Sequence, residues 1–525
     1  MILCAGASTE PLAARALPLT DWSLNSRLPR HYRPAMSITT HSTGTLLVLA
    51  VALVSCRPSA PQPALSNERA SFEPFTFKSG SGVEVPAELG SFRVPEQRGN
   101  PASRMLTLRF VRFRATTANP GPPIVYLAGG PGGSGIGTAA GSRFPVFQAL
   151  REVADVIAFD QRGTGRSNDI VPCVPPGEPS SPVIVTRDSV TTQFRRELQD
   201  CFAKWTAAGV AIDGYTTRES AADIDALRRA LGAEQISLWG ISYGSHLGLA
   251  TLKSHGATIH RAVFAGIEGL DQTVKRPAVF DSLIGRVQTL IDRDSAARQA
   301  YPDLAATMRR VHAQLNASPA RVTIPAVGGR PETVLIFDAF PVQILVGGMM
   351  ADPSGSAQVP LLYRAMAAGR YEQIAAIVCR EFCARSGGYR GMPEAMDLAS
   401  GISAARLAMI RREAVTGVLG DAINFPMPHV AGMRPSLDLG DSFRAPLRSA
   451  VPTLFISGTL DGRTSPTEAR EELEGLRNGK HLLVENGGHN IFEADKRVAD
   501  AVVAFFRGAE VQSLIRLEPP VFRLR

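Results

Sequence analysis

The chain of 525 residues has 44% hydrophobic and 20% charged residues, the balance of a globular protein, and it exceeds one average domain, so one large domain with an insertion is expected. The net charge is +8, but only six of the 56 basic residues are lysine and no Lys/Arg run occurs. The positive excess therefore reads as background and solubility, not as a nucleic-acid surface.

In chain order the first feature is an apolar run at 45–55, too short to span a bilayer and suited to a signal-peptide h-region. It ends in Leu53-Val54-Ser55-Cys56, which resembles a bacterial lipobox, in which the cysteine is lipidated and becomes the first mature residue. Residues 1–56 are read as leader and signal peptide, with Met36 as an alternative start, and 57–70 as a Pro/Ser/Ala-rich linker. The expected location is the bacterial cell envelope, with the membrane reached through the lipid anchor alone. A buried N-terminal helix is the competing reading. Beyond Cys4 and Cys56 lie Cys173, Cys201, Cys379 and Cys383. In an exported chain this even number points to disulfides, and the local pairings Cys173–Cys201 and Cys379–Cys383 are favoured over buried free thiols. No Cys/His spacing matches a zinc site, so no metal is expected.

Residues 75–115 have a strand-like pattern, and 106–113 alternates as an antiparallel strand at a sheet edge would. The run 123–128 reads as a central strand ending in Gly129-Gly130-Pro131-Gly132-Gly133-Ser134-Gly135. Gly130-x-Gly132-x-x-Gly135 has the form of a dinucleotide fingerprint, but Pro131 removes an N–H that such a turn uses. The stronger reading is an oxyanion loop with Gly130 N–H as donor. Core strand 153–159 runs into Asp160-Gln161-Arg162-Gly163-Thr164-Gly165-Arg166-Ser167, read as a structural turn braced by an Asp–Arg pair. Residues 171–190 read as a loop, and 217–231 as an amphipathic helix capped by Ser220 and Asp223.

A short apolar strand, 235–239, then leads into Gly240-Ile241-Ser242-Tyr243-Gly244 and a helix. Strand, G-x-S-x-G and helix form the context of a nucleophile elbow: a sharp turn lifts the Ser242 hydroxyl above the sheet and aims the Tyr243 N–H at the same point. A chance match in a Gly-rich chain is the bland alternative. Strand 261–269 follows. From 270 to 445 the strand–helix rhythm gives way to helical patterns, such as 296–315 and 401–419, marking an insertion. Sheet signals return with strand 451–458 before Asp461, a helix near 466–478, strand 481–485 before His489, and a closing helix at 492–506. Asp461 and His489 both follow core strands, where an open α/β sheet gathers its functional loops. Taken singly they read as a turn residue and a loop cap; the order Ser, Asp, His at successive strand ends argues for a triad. His246, on the elbow helix and out of order, reads as a packing histidine.

The motifs Gly129 to Ser134, Asp160 to Ser167, Gly240 to Gly244, Gly458-Thr459-Leu460-Asp461 and Gly487-Gly488-His489 resemble those of the proline iminopeptidase and tripeptidyl aminopeptidase branch of the α/β-hydrolases. The resemblance covers residues 70 to 508. It implies an α/β-hydrolase fold, a mostly parallel central sheet flanked by helices. The core would comprise 71–269 and 446–508, the mainly helical cap insertion 270–445, and the C-terminal tail 509–525. It also implies a serine exopeptidase acting on short peptides without a cofactor. Ser242 would be nucleophile, His489 base and Asp461 its orienting partner, with oxyanion donors at Gly130 and Tyr243. The family usually has His before the first Gly-Gly pair, where this chain has Ala128. Its W-x-x-W-E-G-type cap motif, whose glutamate meets the substrate amine, is absent. By position Glu268, then Asp271, are the candidates to meet that amine; capping of the next helix or pairing with a nearby arginine is the competing reading of Glu268. A carboxylesterase, or a non-catalytic surface-anchored binding protein on the same fold, are the alternative functions.

Overall fold

The computed structural model describes residues 69–175, 181–326, 331–383 and 388–524. The expected leader, the Met36 start, the Cys56 lipidation site and nearly all of the 57–70 linker lie outside the described residues. Among those described, no helix is long and apolar enough to cross a membrane.

Among the described residues there are thirteen strands: β1 (Ser71–Lys78), β2 (Glu84–Pro95), β3 (Met105–Phe113), β4 (Gly121–Leu127), β5 (Ala154–Phe159), β6 (Val183–Val185), β7 (Ile236–Ile241), β8 (Ile259–Ala265), β9 (Ala320–Ile324), β10 (Thr333–Phe337), β11 (Thr453–Gly458), β12 (Gly479–Glu485) and β13 (Leu514–Arg516). Ten of them build one sheet in the order β1-β2-β3-β5-β4-β7-β8-β11-β12-β13. β1, β2, β3 and β5 pair antiparallel. From β5 to β13 every pairing is parallel. Helices cover both faces of the parallel part, which is why β7 and β11 are buried along their whole length and read as unbroken apolar runs. β3 is antiparallel as expected but is not the edge, because β1 and β2 lie outside it.

One face packs against the helices Thr217–Ala230 and Tyr243–His255. The other packs against Phe144–Leu150 and Lys496–Phe506, with Trp239 wedged among Tyr126, Phe147 and Phe492. Between β8 and β11 the chain is mostly helical, but it also contributes β9 and β10. β10 pairs with β6, so the segment expected to be a loop at 171–190 supplies a strand to the insertion's own sheet. Val183, Val185 and Val190 join its apolar cluster with Phe280, Leu335 and Phe340. The helix expected at 296–315 is two, Ser295–Ala300 and Leu304–Ala317. Pro302 lies between them, where it cannot donate to a continuing helix, and Asp303 caps the second. Thr216, not Ser220 or Asp223, caps Thr217–Ala230. The expected tail carries β13, which extends the parallel edge beside β12.

Cys173 and Cys201 are joined, with Cα atoms 5.6 Å apart. Closing a loop of this length stabilises the chain by about 3–4 kcal/mol on chain-entropy grounds. Cys379 and Cys383 are both buried and are not joined, contrary to expectation. They stand four residues apart at the end of the helix Glu372–Phe382. That spacing holds Cβ atoms about 5–6 Å apart, beyond the reach of a disulfide unless the last turn unwinds.

Candidate active site

The G-x-S-x-G glycines are explained by what surrounds them. A Cβ on Gly240 would stand 2.6 Å from Gly244 O, and one on Gly244 would stand 2.0 Å from Leu127 O. Only with both absent can strand, turn and helix close so tightly. Ser242 between them has φ 57° and ψ −129°, a strained conformation for a residue with a side chain, as expected for a nucleophile elbow. Its N–H donates to Ala265 O at 3.0 Å. The next residue, Gly266, lies so near His489 that a Cβ there would be 2.9 Å from Cε1 of the ring. Ser242 and His489 thus meet the same corner at the end of β8.

His489 Nδ1 donates to Asp461 Oδ2 at 2.9 Å. This bond assigns the proton to Nδ1 and leaves Nε2 free to take one. Asp461 also accepts the N–H groups of Arg463 and Thr464 at 2.7 and 2.9 Å on Oδ1. The Thr464 hydroxyl donates to Oδ2 at 2.6 Å. Burial raises the Asp461 pKa, but His489 and these donors outweigh it and hold the carboxyl below its usual range. Sequence reading missed Thr464; its only signal is its place three residues after Asp461. His246 is packed as expected, with Nδ1 on Gly269 O and Nε2 on the Ser400 hydroxyl, each at 3.0 Å.

The glycine loop leans on the elbow: a Cβ on Gly129 would sit 2.7 Å from Ile241 O and 3.0 Å from Ser242 Cβ. That brings Gly130, the next residue, close to Ser242. Tyr243 heads its helix, so its N–H has no intrahelical acceptor. The turn at 160–167 braces this loop through Asp160, and is itself braced by an Asp–Arg pair whose aspartate, Asp223, lies outside the turn. Asp160 accepts the Ser134 hydroxyl at 2.6 Å and the N–H groups of Ile136 and Arg166 at 3.0 and 2.7 Å. Arg162, fully buried, turns away to Asp223 at 2.6 Å. Gln161 Nε2 donates to Ala128 O at 2.9 Å, a brace where the family's histidine is missing.

Both amine candidates are occupied. The Glu268 carboxylate is bonded to the Lys275 ammonium and buried. Burial raises its pKa, yet the charge of Lys275 pulls it below the usual value. Asp271 accepts the N–H and hydroxyl of Ser403 at 2.8 and 2.5 Å, fastening the start of the helix Ala404–Thr416. The helix Met392–Ser400 of the insertion lies over the glycine loop: a Cβ on Gly132 would be 2.5 Å from Pro393 Cγ, and Tyr243 Oη donates to Met396 Sδ at 3.0 Å. On this helix the Asp397 carboxylate lies within the field of the Lys275 ammonium and of the Glu268 and Glu394 carboxylates. Burial and the nearby carboxylates of Glu268 and Glu394 push it up to about 7. Among the described residues no three His, Cys, Asp or Glu side chains are grouped to hold a metal ion.

Residues 122–322 match the family described as alpha/beta hydrolase fold, and 434–514 match the family described as TAP-like protein. The tripeptidyl aminopeptidase of Streptomyces coelicolor is 30% identical over 175 residues, 31% of this chain and 32% of that protein. Serine protease Hip1 of Mycobacterium tuberculosis is 30% identical over 205 residues, 36% of this chain and 38% of its own. The matched stretches thus span about a third of these relatives. Among solved structures, an epoxide hydrolase from an endophytic Streptomyces covers 81% of this chain and 98% of its own at 15% identity, with a TM-score of 0.35. A thermophilic esterase from Thermogutta terrifontis covers 79% and 98% at 16% identity, with a TM-score of 0.33.

Proposed function

Since the chain belongs to the α/β-hydrolases and carries a TAP-like C-terminal segment, we propose that it is a serine peptidase that releases short peptides from the free N-terminus of its substrates. The observation that carries the reading is the 2.9 Å bond from His489 to Asp461 at the corner shared with the strained Ser242. His489 Nε2 takes the Ser242 proton as Oγ attacks the scissile carbonyl. The N–H groups of Gly130 and Tyr243 hold the oxyanion. His489 then protonates the leaving amine, and water, activated in the same way, hydrolyses the acyl-enzyme. Asp461 keeps the imidazole in its tautomer and stabilises its charged form.

The peptidase part of the reading draws on the two relatives, which are named as a tripeptidyl aminopeptidase and a serine protease. The same groups would cleave an ester, so the test compares substrates. Purified protein is offered aminoacyl, dipeptidyl and tripeptidyl anilides and short acyl esters, and a serine-directed phosphonate maps the nucleophile. We expect label on Ser242, tripeptidyl anilide as the preferred substrate, and a loss of kcat of about 10⁶-fold in Ser242→Ala. Label elsewhere, or full activity in that variant, removes the triad; ester turnover with inert anilides removes the peptidase.

Export to the envelope belongs to the same proposal. It is supported by the lipobox-like 53–56 and by the Cys173–Cys201 bond, which suits an oxidising compartment. Mass spectrometry of the native N-terminus should find lipidated Cys56 as the first residue; an intact leader contradicts it.

A further inference from the structure

The His489 loop begins Asn486-Gly487-Gly488, and a segment with two adjacent glycines has little stiffness of its own. The core fixes its first half, with Leu460 N–H on Gly487 O at 2.8 Å and Asn486 N–H on the Thr459 hydroxyl at 2.8 Å, while its second half is held by a turn of the insertion 138 residues earlier in the chain. The helix Ala339–Met349 ends there, and a short helix, Pro353–Ser356, begins. His489 N–H donates to Ala351 O at 2.9 Å. Asp352 takes both donors of the next residue: Asn490 N–H on Oδ1 at 3.0 Å and Asn490 Nδ2 on Oδ2 at 2.7 Å. Asp352 stands at the N-cap of the short helix, where an aspartate ordinarily bonds the helix's own N–H groups, yet its side chain makes no such bond. Its hydrogen-bonding capacity goes to the histidine loop instead.

The contact is close as well as polar. A Cβ on Gly488 would lie 2.4 Å from Asp352 Oδ1 and 2.5 Å from Pro353 Cδ. A Cβ on Gly462, next to Asp461, would lie 2.3 Å from Met350 O. One turn of the insertion therefore fits against glycines beside both the histidine and its aspartate. From the core side, Arg143 Nη2 donates to Asn490 Oδ1 at 3.3 Å, so Asn490 is held between core and insertion.

We propose that the turn at 350–353 is a clip that sets the register of His489 on Asp461, with Asp352 as its positioning residue. The His489–Asp461 pair is then fully aligned only while the insertion is seated. This rests on the reading of His489 as general base.

The full chain is compared with Asp352→Ala, Asp352→Asn and His489→Ala. Three readouts are followed: kcat and KM on a tripeptidyl anilide, the rate of Ser242 labelling by a phosphonate, and the thermal midpoint. Asp352→Ala should lower kcat and the labelling rate together by about 10- to 100-fold, with KM and midpoint little changed. Asp352→Asn, which keeps one acceptor for Asn490 N–H and loses the other bond, should fall between. Unchanged kcat and labelling in Asp352→Ala overturns the clip. So does a loss that follows the midpoint alone, with Asp352→Asn as stable as the unmodified protein and fully active. If His489→Ala labels and turns over normally, the base reading fails, and the clip with it. If only His489→Ala is impaired, the clip alone fails.

Discussion

Lys275 decides the fate of Glu268. A buried carboxylate needs a cation or a proton, and Lys275, seven residues on, supplies the cation. The pair leaves no charge over for a substrate ammonium. Asp397 is in a different condition: burial first, then the Glu268 and Glu394 carboxylates, push it up to about 7 against the pull of Lys275. A peptide N-terminus that entered beside it would add a counter-charge to a carboxylate that burial destabilises, which makes Asp397 our candidate for the group that recognises a free amine. The sign of the pH dependence follows. Below about 7 Asp397 is mostly protonated and offers no charge, whereas a peptide amine stays protonated up to about 8. KM for a free-amine tripeptidyl anilide should therefore fall as pH rises from about 6 to about 7.5. In Asp397→Asn it should be raised by roughly tenfold at the upper end and lose that slope, while KM for the N-acetylated anilide stays put. An Asp397→Asn curve that follows the unmodified enzyme would exclude the role.

Elements differ in how far their sequences announce them. The parallel strands β4, β5, β7, β8, β11 and β12 are short apolar runs because helices cover both their faces, so they were legible, and so were the loops at their ends that hold Ser242, Asp461 and His489. The position of β3 was not: its alternation reports one wetter face, and cannot say how many strands lie beyond it. The strand β6 has three residues and no period to read; it exists because β10, far along the chain, offers it a partner. β13, Leu514-Ile515-Arg516, is likewise made a strand by β12. Polar partners were the least legible. Asp352 on Asn490, Gln161 on Ala128 O and Asp160 on Ser134 are contacts of one or two bonds across the fold, with no spacing rule to announce them. The residues proposed to carry the chemistry stand in motifs, and so do Asp160 and Gln161, but no motif announces what those two bond or the presence of Asp352.

For the molecule as a whole, the insertion reaches the site from two directions. The helix Met392–Ser400 lies over the glycine loop and touches the Tyr243 side chain. The turn at 350–353 rests on the histidine loop. Ser242 itself is only partly exposed between them, and His489 is 5% exposed. A folded polypeptide cannot thread a bond through such a roof without unfolding locally, whereas a flexible chain end can enter. A roof with a carboxylate at fixed depth would count residues from the amine. We expect kcat/KM to rise from aminoacyl to tripeptidyl anilides and to fall again for longer peptides blocked at the N-terminus. A folded, disulfide-bonded protein should stay intact under conditions that exhaust the tripeptidyl anilide. Limited proteolysis read by mass spectrometry checks this: internal cuts in the folded protein at a comparable rate would mean an open site, and good turnover of N-acetylated peptides would end the aminopeptidase reading while leaving the Ser242, Asp461 and His489 chemistry intact.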